Sequence, residues 1–193
     1  MVMPRSTHGC TLPVTPLDDD PEVFRARLDR TVAGDMAALG ELFAAHGDLV
    51  YRTAVRLTGG TADAEDVTQE LFVRLPAALR GFTGGRASFV GWIRRVAVRE
   101  ALMHLRSGRR RREVSVDGVA ALVAREDHAL DRLSIERALA RLSDEHRTVF
   151  LLKEVEGFAH TEIAELLGIS VANSEVRLHR ARRQLRDLLR GSR

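Results

Sequence analysis

The side chains with the most legible chemistry lie in the last third of the chain. At about 100° per residue, Asn173, Val176, His179, Arg180 and Arg183 share one face of a helix, with Arg177 at its flank. Such a face suits duplex DNA, because amides and guanidiniums pair with base edges in the major groove while cations hold phosphates. On this geometry Asn173 addresses adenine, Arg180 guanine or phosphate, and Val176 a thymine methyl. The opposite face, Val171, Ser174, Leu178, Ala181, Leu185 and Leu188, is predicted to pack on a core. Arginine on a helix surface ordinarily only solubilises. Here Ala164, Gly168 and Ile169 come just before it, supplying the small residue, tight turn and apolar plug that let two helices cross closely. Glu175 acts the other way, since its charge suits the start of a helix but repels phosphate.

A second set is acidic. Within Thr61 to Leu75, Ala64, Val67, Leu71 and Leu75 form an apolar stripe, and Asp66, Gln69, Glu70 and Val73 lie on another face. A third set combines the predicted buried stripe Phe89, Trp92, Ile93, Val96 and Met103 with a cationic ridge, Arg95, Arg99 and Arg106, on a separate face. Catalysis finds no foothold. The seven histidines make no metal-ligand spacing, and neither a phosphate-binding loop nor a nucleophile elbow occurs. No enzyme activity, catalytic residue, metal or cofactor is expected.

These residues must be carried by helices. Residues 1–20 mix Pro4, Gly9, Pro13 and Pro16 without periodicity and read as a flexible arm. From Pro21 the apolar residues Phe24, Leu28 and Val32 step by four, a pattern that Met36, Leu39, Phe43, Val50, Ala54 and Leu57 continue until Gly59 and Gly60 end it. Thr61 is placed to cap the next helix, and Pro76 to bend or end it. A glycine-rich loop, residues 80–87, leads to a predicted N-cap at Ser88 and a helix running to about Arg106. Aperiodic residues 107–128 read as a linker, and residues 129–190 are helical again. The fold class is therefore all-α: two small helical domains, residues 21–106 and 129–190, joined by a flexible linker.

Composition agrees. Hydrophobic residues at 45% and charged residues at 30% fit folded helices and are too apolar for a disordered chain. A net charge of +3 is weak, but arginine crowds 106–112 and 177–193. The single cysteine, Cys10, excludes an intrachain disulfide and points to a reducing cytoplasm. No apolar run approaches the roughly 20 residues that span a bilayer, so no membrane insertion is expected.

Several segments, in order, resemble the extracytoplasmic-function (ECF) sigma factors. Residues 62–72, Ala-Asp-Ala-Glu-Asp-Val-Thr-Gln-Glu-Leu-Phe, are similar to the family's polymerase-docking helix, and residues 91–97, Gly-Trp-Ile-Arg-Arg-Val-Ala, to its promoter-melting helix. The stretches 139–142 and 149–157, then 162–170 and 177–182, are similar to region 4 of the family. The resemblance covers about residues 35–189.

What it implies is promoter recognition and transcription initiation, with core RNA polymerase (clamp and flap regions) and promoter DNA as partners and an anti-sigma factor expected. Asp63, Asp66, Gln69, Glu70 and Phe72 would meet the polymerase. Arg80, Phe82, Arg86, Trp92, Arg94, Arg95 and Arg99 would meet the minus-ten element, the loop 80–87 receiving a flipped base. Ser170, Asn173, Val176, Arg177, His179, Arg180 and Arg183 would meet the minus-thirty-five element. Pro76, Arg99 and Glu175 depart from the family's usual tryptophan, asparagine and lysine. Two alternatives stay open: a stand-alone helix-turn-helix regulator, and a polymerase-bound adaptor that no longer melts DNA.

Overall fold

A computed structural model describes residues 20–114 and 130–190. All regular structure among them is helical: α1 (Pro21–Val32), α2 (Met36–Thr58), α3 (Thr61–Leu79), α4 (Arg86–Val114), α5 (Leu130–Ala140), α6 (Asp144–Phe150), a π-helical turn (Leu151–Val155), α7 (His160–Leu167) and α8 (Val171–Arg190). Residues 1–19 of the expected arm, 115–128 of the expected linker and residue 129 lie outside the described residues. No described helix is long and apolar enough to cross a membrane.

The first half is built on the predicted stripes. Ala64, Val67, Leu71 and Leu75 of α3 are all buried, as are Phe89 and Ile93 of α4. Phe89 is the hub, with the rings of Phe24, His46 and Phe82 set edge-on to it at centroid distances of 5.3, 5.0 and 5.5 Å. Edge-to-face packing of this kind adds about 0.5–1.5 kcal/mol per pair beyond the burial itself. In the second half, Ala138 and Leu142 pack on Ala181 and Leu185 of α8. A further core joins the halves: Ala54, Leu57, Val98 and Leu102 share one apolar cluster with Leu151, Leu152, Phe158 and Ile163.

Several local expectations need correction. The pattern running from Phe24 to Leu57 is two helices, because Gly34 turns the chain at φ +92° and the Asp35 carboxylate accepts from the N–H groups of Ala37 and Ala38, starting α2. Gly60, not Thr61, is the N-cap of α3, with no side-chain cap bond. Pro76 does not end α3, which runs on to Leu79; burial of Leu75 and Leu79 holds the last turn although the proline removes one hydrogen bond. Ser88 lies inside the first turn of α4, its Oγ donating to the Gly85 carbonyl at 2.8 Å, because the helix already starts at Arg86. That helix continues to Val114, past the expected end near Arg106. Met103 and Val171, expected in the core, are 52% and 39% exposed, since each sits at the rim of its helix's buried stripe.

Candidate nucleic-acid interface

The helix α8 is held on α6, the π turn and α7 by polar contacts along its flanks. Ser174 is fully buried, and its Oγ lies 2.9 Å from Nδ1 of His160 on α7. Arg177 pairs with Glu145 at 3.0 Å, Arg182 with Glu154 at 2.6 Å, and Gln184 Oε1 lies 3.1 Å from His146 Nδ1. Gly168, at φ +68°, supplies the left-handed turn between α7 and α8. With one side anchored, Asn173, Val176, His179, Arg180 and Arg183 are all exposed on the other, as the helical spacing predicts. Ser170 is exposed, but its Oγ accepts the Asn173 N–H at 3.1 Å and so caps the helix. Arg177 is largely buried in its ion pair and sits beside the exposed face.

The acidic face of α3 is equally open. Asp63, Asp66, Gln69 and Glu70 are exposed beside the exposed Val73. Asp63 is 3.0 Å from His104 Nε2, and Glu70 is salt-bridged to Arg74. A shallow groove between α3 and α4 is lined by Asp66, Gln69, Glu70, Val73 and Met103. Phe72 stands apart from this face: it is buried, edge-on to Phe43 at 4.9 Å, where it supports the helix from within.

Between the glycine-rich loop and α4 lies a pocket of about 470 Å³, lined by Gly81, Phe82, Thr83, Gly84, Ser88, Gly91, Trp92 and Arg95. Phe82 is buried and its ring lies 5.0 Å from that of Trp92, so the two form an aromatic wall. Gly84 is close to that wall, where an added Cβ would come within 2.9 Å of the Phe82 ring. The pocket therefore offers an aromatic side, a polar loop and one cation at its rim, chemistry suited to an unstacked base. Arg80 and Arg99 are exposed and Arg86 is half-buried.

Arg94, half-buried, and Arg95, exposed, both face carboxylates of the second half. Arg95 pairs with Glu162 of α7, and Arg94 Nε lies 3.7 Å from Glu156, which follows the π turn. The Glu156 side chain is only 2% exposed and also accepts from Arg56 Nε at 2.6 Å. Sequence reasoning passed over Glu156, Glu162 and Arg56. No local pattern encodes their pairings, which span 100 residues for Arg56–Glu156 and 67 for Arg95–Glu162.

Comparison with known proteins matches both halves. Residues 42–111 fit the family described as Sigma-70 region 2, and residues 132–185 fit Sigma-70, region 4. The chain is 36% identical over 168 residues to the ECF RNA polymerase sigma factor SigE of Mycolicibacterium smegmatis, an alignment covering 81% of this chain and 64% of that protein. It is likewise 36% identical over 169 residues to the ECF RNA polymerase sigma factor SigL of Mycobacterium tuberculosis, covering 83% of this chain and 94% of the relative. Among solved structures, the sigma factor RpoE of Bartonella quintana, in complex with the anti-sigma factor NepR, shares the fold with a TM-score of 0.60 at 22% identity, covering 80% of this chain and 98% of that one. With the two sigma regions matched in order and SigL covered almost end to end, the chain belongs to the ECF family of RNA polymerase sigma factors.

Proposed function

We propose that this sigma factor directs core RNA polymerase to its promoters through three separate surfaces. Asp63, Asp66, Gln69 and Glu70 on α3 dock on the polymerase clamp, with buried Phe72 shaping that helix. The pocket of Phe82, Trp92 and Arg95 takes a flipped nontemplate base of the minus-ten element, while Arg80, Arg86, Arg94 and Arg99 follow the strand. The face of α8 reads the minus-thirty-five element in the major groove. The observation that carries this reading is the aromatic-walled pocket, which a duplex-only operator binder has no use for.

The domains acting in this way span residues 21–106 and 129–190, and tethering them makes the second DNA contact effectively intramolecular. The protein works in the cytoplasm as a regulatory subunit without catalysis of its own. An anti-sigma factor is its natural antagonist, as NepR accompanies RpoE of the shared fold.

Runoff transcription with purified core enzyme tests the reading. Asp66→Arg should weaken binding to core enzyme in a titration, and Arg180→Ala should lower promoter affinity by about 1–3 kcal/mol if that side chain reads a base. A chain that binds promoter DNA tightly alone and supports no initiation would instead be a stand-alone regulator.

A further inference from the structure

Two of the polar contacts between the halves fall on Arg94 and Arg95, cations of the face expected to handle melted DNA. Glu156 sits between Arg56 at 2.6 Å and Arg94 at 3.7 Å and also accepts from Thr53 Oγ1 at 3.4 Å. Glu162 holds Arg95 on the rim of the aromatic pocket. Farther along α4, Arg106 Nη2 donates to the Leu166 carbonyl at 3.3 Å, so three arginines of one helix turn toward the second half. Beneath these polar contacts, Val98 and Leu102 share an apolar cluster with Leu152 and Ile163. Meanwhile the acidic face of α3 and the basic face of α8 remain exposed.

We propose that this packing is a self-inhibited state in which Glu156 and Glu162 occupy, as carboxylates in place of phosphates, the arginines that would otherwise hold single-stranded promoter DNA. The inhibition is selective. It engages Arg94 and Arg95 and leaves the polymerase-docking and duplex-reading surfaces free, so the chain can find core enzyme and promoter before these two arginines are released. A carboxylate is an apt stand-in, since arginine pairs with carboxylate and phosphate through the same donor geometry. A strand that engages Arg94 and Arg95 must first displace these carboxylates, and its apparent affinity falls by the fraction of molecules in which they are released. This inference rests on the assignment of Arg94 and Arg95 to the minus-ten strand.

The test uses the full chain without polymerase and a fluorescent random-sequence single-stranded DNA of about 20 nucleotides, read by anisotropy. Wild type should bind weakly. Glu156→Gln with Glu162→Gln should raise affinity about tenfold and enlarge the radius of gyration seen by small-angle scattering, because removing two charges shifts the population toward the open form. A helical, folded double variant that binds no more tightly than wild type would overturn the proposal. Should the buried Glu156 substitution compromise folding, Glu162→Gln alone decides: its amide oxygen can still accept the Ala159 N–H that Glu162 accepts at 2.9 Å, so α7 keeps its cap while Arg95 loses its charge partner. That variant should bind about threefold more tightly, and no gain again rejects the inhibition. Arg94→Ala with Arg95→Ala separates the two levels. If these changes leave polymerase-dependent initiation intact, the strand-holding assignment fails; if they impair initiation while the glutamate variants gain nothing, only the self-inhibition fails.

Discussion

Ser174 and His160 key α7 and α8 together: the serine hydroxyl, fully buried, lies 2.9 Å from the imidazole Nδ1. This bond is the polar centre of an otherwise apolar crossing, where Ile163, Ala164 and Leu178 are buried. The orientation of the exposed face of α8 therefore depends on a buried residue outside that face.

Ser174→Ala should lower unfolding free energy by about 1 kcal/mol, the net worth of one ordinary hydrogen bond. Ser174→Leu should do more harm, because a position with no accessible surface cannot take three further carbons without moving α7 from α8. Chemical denaturation gives the first value. Duplex promoter binding by the holoenzyme reports the second, and binding that survives Ser174→Leu unchanged would show the crossing to be tolerant.

Gly84→Ala should damage the pocket. Its new Cβ would lie 2.2 Å from Ser88 Oγ and 2.9 Å from the Phe82 ring. The serine hydroxyl can rotate away, but Phe82 is buried against Phe89 and Trp92 and cannot yield without repacking. The cost expected is about 1–3 kcal/mol. Thermal unfolding measures it, and permanganate reactivity of promoter thymines should show reduced opening while closed-complex binding through α8 is retained.

His46 should give the fold a pH dependence. Burial, assisted by the nearby Arg86 and Arg27 guanidiniums, holds its imidazole pKa below the ordinary value. As pH falls through about 6.5, the unfolded chain takes up this proton first, so stability that is complete at higher pH is lost progressively below that point. His46→Leu should flatten the change in Tm between about pH 7 and about pH 5.5. An unaltered slope would assign the dependence to another group.

Much of this architecture was readable where residues repeat locally. The buried stripe of α3 at 64, 67, 71 and 75 and the exposed face of α8 at 173, 176, 179, 180 and 183 follow directly from helical spacing. The break between α1 and α2 was hidden because Val32 and Met36 continue the step of four across Gly34. That Pro76 does not end α3 has the opposite cause: a strong local stop signal was overridden by the burial of Leu79 one turn later. The partners of Arg94 and Arg95 were illegible, since the pairing of Glu156 and Glu162 with these arginines exists only once the halves meet. The aromatic wall of two residues lay between these cases. Trp92 was visible in the α4 stripe, whereas its neighbour Phe82 joins it from the loop only in three dimensions.

The π-helical turn gives this molecule a dependence on helical winding at a single place. There the Glu156 N–H reaches back five residues to the Leu151 carbonyl at 3.0 Å, one more than an α-helix would span. Winding the same residues as an ordinary α-helix, with none removed, would advance whatever follows by one residue's step, about 100°. The carboxylate at 156 would then swing off Arg56 and Arg94, uncoupling the halves by a change of register and not of charge.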